Sequence, residues 1–328
     1  MRPEAPRVSV IVPVFNAASF LQDCVRRLIE QTVAAIEIIL VDDGSTDGSH
    51  AIAATLAASD HRVAVLQQEH VGPGAARNRG LAAARAPYVT FVDSDDDMVA
   101  DGCEALLRQA DESGADVVVG KTDKWHRAAL PSRLAPHPVA AIRALYTGRI
   151  STSACAKLYR RSFLRAHDIR FPTGMYIEDR HFLLQCLAAG ASLASLERVV
   201  YRIHARPEST MHRITPKHAT DATAACELDT ALLSRAGLLR ACGYHLARAT
   251  LMVDLFVARR SARNDAPLRD VLLYEISRQE RLFQRLPVPR WRRLLLTGVI
   301  RQLRRDLAGT TDFLPTRVWL RLLARVAP

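Results

Sequence analysis

The segment 93–97 places four carboxylates within five residues, directly after an apolar run. Residues 88–92 are aromatic or β-branched, and Thr90 is the one aliphatic residue among them with a polar group. This composition predicts a buried strand. Clustered carboxylates repel one another and are costly to bury unpaired. A hard divalent cation, Mg²⁺ or Mn²⁺, would relieve that repulsion and could bridge the protein to phosphate groups. The alternative is a solvated acidic turn.

Two other predicted strands also end in polar or aromatic residues. The apolar run 8–15 ends at Phe15 and Asn16, and the run 36–41 ends at Asp42 and Asp43. Ligands of open parallel sheets bind beyond the carboxyl ends of the strands, so we expect these side chains to meet the acidic segment at one edge. Core packing is the alternative for Phe15, and a turn with a helix cap is the alternative for the two aspartates.

Strand and helix patterns alternate along the first part of the chain. Apolar strand runs are separated by segments with helical spacing, which predicts an α/β fold with a mostly parallel sheet and helices on both faces. The predicted strands are 8–15, 36–41, 63–66, 88–92 and 116–120, and the predicted helices include 18–31, 101–113 and 138–147.

Composition limits the class of protein. The chain has 328 residues, 49% of them apolar, which is enough for a sizeable core. No apolar run approaches the roughly 20 residues needed to span a bilayer, and the N-terminus does not resemble a signal peptide. The six cysteines are scattered without a CxxC pair, which favours reduced thiols over disulfides or a zinc site. We therefore expect a cytoplasmic protein.

Charge is distributed unevenly along the chain. Of the 45 Lys and Arg residues, 20 lie from Thr215 onward, against 10 of the 34 Asp and Glu residues, so this part holds +10 of the net charge of +11. This asymmetry predicts two domains, residues 1–214 and a basic helical region at 215–328.

Four motifs together carry a resemblance to a known family. Residues 8–16, 41–47, 76–80 and 93–96 closely resemble, in type, order and separation, the family 2 glycosyltransferases with the GT-A (Rossmann-like) fold. The resemblance is strong over residues 8–120 and weaker to about residue 212. It implies an inverting sugar transfer from a nucleotide-sugar donor, with Mn²⁺ or Mg²⁺ as cofactor.

The resemblance implies roles for the residues at the strand ends. Phe15 would stack on a uridine-type base, Asp43 would accept a hydrogen bond from that base, and Asp42 would orient the loop or contact the ribose. Pro13 and Asn16 belong to the same implied nucleotide pocket, as does Ser94. Asp95 would bind the metal with Asp93 as its companion, and His204 lies where relatives place a late metal or diphosphate ligand. A structural histidine is the alternative for His204, and Asp97, beyond the motif, is expected to be solvated.

Catalytic residues are implied farther along the chain. Glu178 and Asp179 resemble the acidic pair that supplies the base, since an acceptor-side carboxylate must take the hydroxyl proton. Asp179 is our first choice and Glu178 the second. Helix capping is the alternative for this pair. Arg77 follows a glycine-rich helix start and is expected to contact the nucleotide, with a surface salt bridge as the alternative. Lys157 and Arg206 are further candidates for diphosphate contact.

The implied partners are a UDP-linked donor and a glycan, polyol-phosphate or lipid-linked acceptor in cell-envelope or exopolysaccharide synthesis. The basic helical region would either pack on the catalytic domain or form a homo-oligomer, or lie on the anionic inner face of the cell membrane. No nucleic acid is expected, since no recognition motif accompanies the basic charge. A non-catalytic nucleotide-sugar- or glycan-binding module of the same fold is the second hypothesis.

Overall fold

The computed structural model describes residues 4–124, 133–134, 137–204, 214–259 and 265–308. The chain divides into an N-terminal unit, residues 1–138 and 149–205, and a C-terminal unit, residues 139–148 and 206–328. The boundary predicted from charge lay between residues 214 and 215, and it kept residues 139–148 with the N-terminal part.

The N-terminal unit contains the alternating elements predicted from the sequence, followed by a less regular segment. Its strands are β1 (Val8–Val14), β2 (Ile36–Asp43), β3 (Val63–Gln68), β4 (Tyr88–Phe91), β5 (Asp97–Met98), β6 (Val117–Thr122), β7 (Arg133–Leu134), β8 (Lys157–Arg160) and β9 (Leu193–Arg202). Its helices are α1 (Leu21–Ile29), α2 (Ser49–Ser59), α3 (Pro73–Ala83), α4 (Gly102–Ser113), α6 (Arg161–Ala166) and α7 (Glu178–Ala188), while α5 (Pro138–Tyr146) begins the other unit.

The described strands form one mixed sheet in the order β3-β2-β1-β4-β8-β6-β9-β5, with β7 also paired to β9. The first four strands of this order are parallel, as predicted. β8 then inserts antiparallel to both β4 and β6. The predicted α/β class, with helices flanking the sheet and a helical C-terminal region, is confirmed.

Strand register brings the predicted strand ends to one edge of the sheet. Val14 of β1 pairs with Asp42 of β2, and Ile11 of β1 pairs with Phe91 of β4. Because these strands are parallel, the residues that follow them leave the sheet on the same side. Phe15, Asp43 and Asp93 therefore share this edge.

Close packing of α3 on the sheet positions its polar face. α3 packs on β1 and β2. Gly80 allows this approach, because a Cβ atom there would collide with the side chain of Ile11. Arg77, one turn earlier on α3, is thereby held at the edge of the sheet rather than over its centre.

In its described residues the C-terminal unit contains α5 and four longer helices, α8 (Pro216–Arg235), α9 (Leu239–Val257), α10 (Ala266–Arg285) and α11 (Arg290–Leu307). α8 packs on α9 and α10, and α11 packs on α9 and α10. Apolar residues at helical spacing form the buried faces, including Leu272, Ile276 and Phe283 on α10. Within the described ranges, none of the helices has both the length and the apolar character that a membrane span requires.

Candidate active site

Phe15 presents an aromatic surface at the edge of the sheet. Its side chain is 45% exposed, so the core-packing alternative is excluded. The imidazole of His70 stacks on the ring with centroids 3.9 Å apart and an interplanar angle of 20°. Phe15 can therefore stack with a flat heteroaromatic group, because it already does so within the chain.

Asp43 is buried and fixes the loop between β3 and α3. Its Oδ1 accepts hydrogen bonds from Gln68 Nε2 at 2.7 Å and Val71 N at 3.0 Å. Its Oδ2 accepts from Gly72 N at 2.8 Å and lies 2.8 Å from His70 Nδ1. Four partners fill the acceptor capacity of one carboxylate. Recognition of a base by Asp43, which stays a prediction, would require one partner to leave, and His70 is half-exposed.

Asp42 and Asn16 organise the neighbouring loop. Asp42 is fully buried, and it accepts from Ser45 N at 3.0 Å and lies 3.1 Å from His50 Nδ1. Asn16 has a positive φ of 49° and accepts from Thr46 N at 2.9 Å. Asp42 thus makes the turn contacts that the alternative interpretation predicted. Pro13 lies on β1 in register with Val41, two residues before Phe15.

Arg77 connects the two predicted halves of the site. Its side chain is 5% exposed, so it is not the surface salt bridge considered from the sequence. Nη2 donates to Asp93 Oδ1 at 2.8 Å, and Nη1 donates to Glu178 Oε1 at 2.7 Å. Nη1 also lies 3.1 Å from Asp179 Oδ1. One guanidinium therefore holds the carboxylate expected on the donor side and both carboxylates expected on the acceptor side.

Glu178 and Asp179 occupy the first turn of α7, which begins at Glu178 itself. Carboxylates are favoured there by the helix dipole. Burial and the neighbouring Asp179 charge raise the pKa of Glu178 to about 7. Burial also raises the pKa of Asp179, and Arg77 opposes that rise.

Asp179 is the more accessible carboxylate of the pair. Its side chain is 22% exposed, against 7% for Glu178. Asp179 Oδ2 also accepts from Ala154 N at 2.9 Å, which fixes the orientation of the carboxylate. A fixed, partly exposed carboxylate with a raised pKa has the properties of a general base.

The acidic segment 93–97 is held by β9 and the residues just after it. Tyr201 Oη donates to Asp96 Oδ2 at 3.0 Å and accepts from Asp93 N at 3.1 Å. His204 N donates to Asp96 Oδ1 at 2.9 Å. Burial raises the pKa of Asp96 to about 6.

Asp97 is not solvated, and that prediction is wrong. It is 6% exposed, in β5, which pairs with β9. Its Oδ1 lies 3.0 Å from Arg27 Nε, and its Oδ2 lies 2.7 Å from His204 Nε2. Two cationic or polar partners distant in sequence make its burial tolerable.

The carboxylates suit a metal that is bound together with a substrate. Among the residues that the structure describes, no group of three or more His, Cys, Asp or Glu side chains is placed to hold a metal ion. Mg²⁺ commonly takes only one or two carboxylates and completes its shell with waters and substrate phosphates. Asp93 remains 36% exposed, and Ser94 and Asp95 follow it in the same partly exposed turn. Asp93 and Asp95 therefore fit such a shared site.

Lys157, one of the two further candidates for diphosphate contact, is buried beside the segment that precedes β8. Lys157 is 1% exposed, and its Nζ donates to Ser153 O at 2.6 Å. Burial lowers the pKa of Lys157 to about 8. Lys157 supports the segment that carries Ala154, the backbone donor to Asp179. Arg206 lies outside the described residues.

Two comparisons with known proteins bear on these residues. The family model described as Glycosyl transferase family 2 matches residues 9–168. A relative from Bacillus subtilis (strain 168), named Putative glycosyltransferase EpsH, is 33% identical over 241 residues, covering 70% of this chain and 70% of the relative. The chain belongs to glycosyltransferase family 2.

Solved structures show that this family 2 glycosyltransferase shares its fold with proteins of known structure. The crystal structure of S. aureus TarS 1–349 in complex with UDP-GlcNAc is 22% identical with a TM-score of 0.68, covering 97% of this chain and 92% of that chain. Mannosyltransferase PcManGT from Pyrobaculum calidifontis, in complex with GDP-Man and Mn²⁺, is 18% identical with a TM-score of 0.54, covering 98% of this chain and 87% of that chain. These likenesses establish the fold alone.

Sequence reasoning missed two residues that shape the site of this glycosyltransferase. His70 covers Phe15 and contacts Asp43, and Tyr201 connects Asp93 to Asp96. Both partners of Tyr201 are more than 100 residues away in sequence, so no local pattern marks them. For His70, the signal was its position two residues before the glycine-rich start of α3.

Proposed function

We propose that this glycosyltransferase is an inverting, metal-dependent enzyme that uses a UDP-linked donor. Its acceptor is proposed to be a glycan, polyol-phosphate or lipid-linked molecule in cell-envelope or exopolysaccharide synthesis. The observation that carries the mechanism is the set of contacts from Arg77 to Asp93, Glu178 and Asp179. These contacts hold a donor-side carboxylate and an acceptor-side base in one rigid group, which is the preorganisation that catalysis requires.

The proposed reaction is one in-line displacement. The acceptor hydroxyl oxygen bonds to the anomeric carbon while the bond from that carbon to the diphosphate oxygen breaks, and the bonding pair leaves with the diphosphate. Asp179 takes the hydroxyl proton as the new bond forms. Glu178 Oε1 is occupied by Arg77, so we assign Glu178 to positioning and charge balance.

The donor is assigned to the edge formed by β1, β2 and β4. Phe15 stacks on the base, Asp43 accepts from it, and Asp93 with Ser94 faces the ribose and diphosphate. A divalent cation, held by Asp95 and Asp93, would supply Lewis-acid stabilisation of the departing diphosphate. The UDP-GlcNAc bound to TarS and the Mn²⁺ bound to PcManGT support this choice of donor class and cofactor class.

Donor hydrolysis tests this proposal without knowledge of the acceptor. A thermal-shift screen of nucleotide-sugars with Mn²⁺ first identifies the donor, because a bound donor stabilises the native state. UDP release should then need Mn²⁺ or Mg²⁺ and be abolished in Asp95→Ala. Asp111→Ala, which removes a half-exposed carboxylate on α4, is the control and should keep full activity. Donor binding without any release of UDP would favour the non-catalytic binding module.

We also propose that the C-terminal unit associates peripherally with the anionic inner face of the cell membrane. The excess positive charge from residue 215 onward supports this, as do the exposed Trp291 and Leu294 at the start of α11, which are 46% and 66% exposed. The full chain should co-sediment with anionic vesicles at low salt and be released at high salt. A chain that stays in the supernatant at low salt but elutes as a dimer or larger would favour homo-oligomerisation.

A further inference from the structure

In the C-terminal unit, side chains from α5 and α11 approach one face of α9. Ala241, His245 and Arg248 lie four and three residues apart on α9, and this spacing places them on the same face. Arg143 of α5 reaches this face, because its Nη2 donates to Ala241 O at 3.5 Å.

A second arginine reaches the same face from α11. The guanidinium of Arg292 lies over the ring of Tyr244, 4.8 Å from its centroid. Tyr244 precedes His245 on α9, and their ring centroids are 5.6 Å apart. Arginines from α5, α9 and α11 therefore converge around His245.

Four nitrogen atoms of His245, Arg143 and Arg292 are buried here without a hydrogen-bond partner among the described residues. His245 is 1% exposed, and neither of its ring nitrogens has a hydrogen-bond partner among the described residues. The Nε–H groups of Arg143 and Arg292 are also buried there without an acceptor in the described part of the chain. Buried donors in native proteins nearly always have an acceptor, so the described residues leave this cluster without a component that supplies oxygen atoms.

Arg143 and Arg292 also lack a carboxylate partner among the residues that the structure describes. Burial, and then the charges of Arg143, Arg292 and Arg248, lower the pKa of His245 to about 4. The ion pairs described in this unit, such as Arg278 with Glu227 and Arg304 with Glu280, do not involve Arg143 or Arg292. Within the described ranges, Arg143 and Arg292 form no ion pair with a carboxylate.

The geometry points to a binding site for a phosphoryl anion, formed by Arg143, Arg292 and His245 with Arg248 beside them. A phosphoryl group presents several oxygens in a tetrahedral arrangement, which suits donors that arrive from three helices. Arginine is well adapted to such groups, because its guanidinium can donate two hydrogen bonds to them. This inference concerns only the C-terminal unit and does not depend on the proposed transferase mechanism.

Calorimetric titration of inorganic phosphate into the full-length chain, at constant ionic strength, tests the site. Wild type should bind phosphate, and Arg143→Gln and Arg292→Gln should each weaken binding about 10- to 100-fold, because each removes a charge-assisted hydrogen bond. Arg301→Gln is the matched control, since it removes an exposed arginine from α11 and should leave the affinity unchanged. Equal affinities for all four proteins, or no binding by wild type, would overturn the assignment.

A second measurement needs no altered arginine. The groups that face His245 are Tyr244 and Arg248 on its own helix, Arg143 on α5 and Arg292 on α11. A phosphoryl anion among them should raise the pKa of His245, which NMR of imidazole-¹⁵N-labelled protein can follow. The His245→Gln spectrum identifies the resonance among the 11 histidines. An unchanged His245 pKa at saturating phosphate would contradict the site.

Vesicles distinguish a lipid headgroup from a soluble phosphate as the source of the anion. If the ligand is a headgroup, wild type should co-sediment with phosphatidic acid in phosphatidylcholine vesicles, and Arg292→Gln should do so less than Arg301→Gln. If the ligand is soluble, phosphate binding should stay sensitive to Arg292→Gln while the two variants sediment equally. Equal sedimentation together with equal phosphate affinity would remove both sources.

Discussion

The arginines of the two units differ in their carboxylate partners. Arg77 is 5% exposed and contacts three carboxylates, whereas Arg143 and Arg292 surround a buried histidine without a described carboxylate partner. A buried charge is tolerated when it is paired and hydrogen-bonded. The carboxylate contacts of Arg77 therefore order its site before any ligand binds, whereas the cluster around Arg143 and Arg292 is the one we propose is completed by a bound anion.

The largest effect expected in the N-terminal unit comes from Asp179→Asn. The amide keeps the shape and the acceptor for Ala154 N but cannot take a proton, so UDP release should fall about 10²- to 10⁴-fold. Donor binding, measured by calorimetry, should be unchanged. Full activity in Asp179→Asn would show that the base is another residue, and Glu178→Gln would then be the variant to examine.

Arg77→Gln and Arg143→Gln compare the stability lost when an arginine with carboxylate partners, or one without them, is replaced. Arg77→Gln leaves three carboxylates close together without their cation, which should lower the free energy of unfolding by about 3–5 kcal/mol. Arg143→Gln leaves none of the described carboxylates unpaired and should lower the free energy of unfolding much less in phosphate-free buffer. Denaturant unfolding measures both variants, and Arg170→Gln, at an exposed ion pair, is the control. Equal losses for Arg77→Gln and Arg143→Gln would break the comparison.

Phe15→Ala should weaken donor binding without affecting the fold. Stacking of a base on an aromatic ring contributes about 1–3 kcal/mol, so the donor affinity should fall about 5- to 150-fold. Phe20→Ala, which removes another exposed phenylalanine from the same unit, should bind the donor normally. If the two variants bound the donor equally well, Phe15 would not be the base platform.

The pH dependence of stability should have opposite signs in the two units. The folded-state pKa of Glu178 is raised to about 7, so between pH 4.5 and 7 the native state holds more protons and its stability falls as pH rises. The folded-state pKa of His245 is lowered to about 4, so between pH 4 and 6.5 the unfolded state holds more protons. The contribution of His245 to the free energy of unfolding therefore rises with pH.

Two variants separate these contributions. Glu178→Gln should shift the slope of unfolding free energy against pH upward, and His245→Gln should shift it downward. Each shift is at most about 1.4 kcal/mol per pH unit between pH 5 and 6.5. Denaturant unfolding across that range measures both slopes, and shifts of the same sign would contradict the assignment.

The features that could be predicted from the sequence are those encoded in short, continuous stretches of residues. Apolar runs located β1, β2 and β4, and parallel pairing of these strands brings Phe15, Asp43 and Asp93 to one edge as expected. The four motifs also led to the correct family, because their types and separations are specific together.

The remaining features depend on contacts between distant residues. Arg77 and Glu178 are 101 positions apart, and Asp97 and His204 are 107 apart, so neither pairing leaves a local signal. Asp97 was predicted to be solvated because it lies beyond the motif, but contacts with Arg27 and His204 hold it in a buried position. The meeting of α5 with α9 likewise became visible only in three dimensions.

Binding of UDP tests the central claim most directly, because it needs neither the sugar nor the acceptor. Calorimetric titration of UDP into the full-length chain should show binding that depends on Mn²⁺ or Mg²⁺. Asp95→Asn should weaken this binding strongly, and Asp179→Asn should leave it intact. The absence of metal-dependent binding of UDP or any other nucleoside diphosphate would contradict the donor site at the edge of β1, β2 and β4.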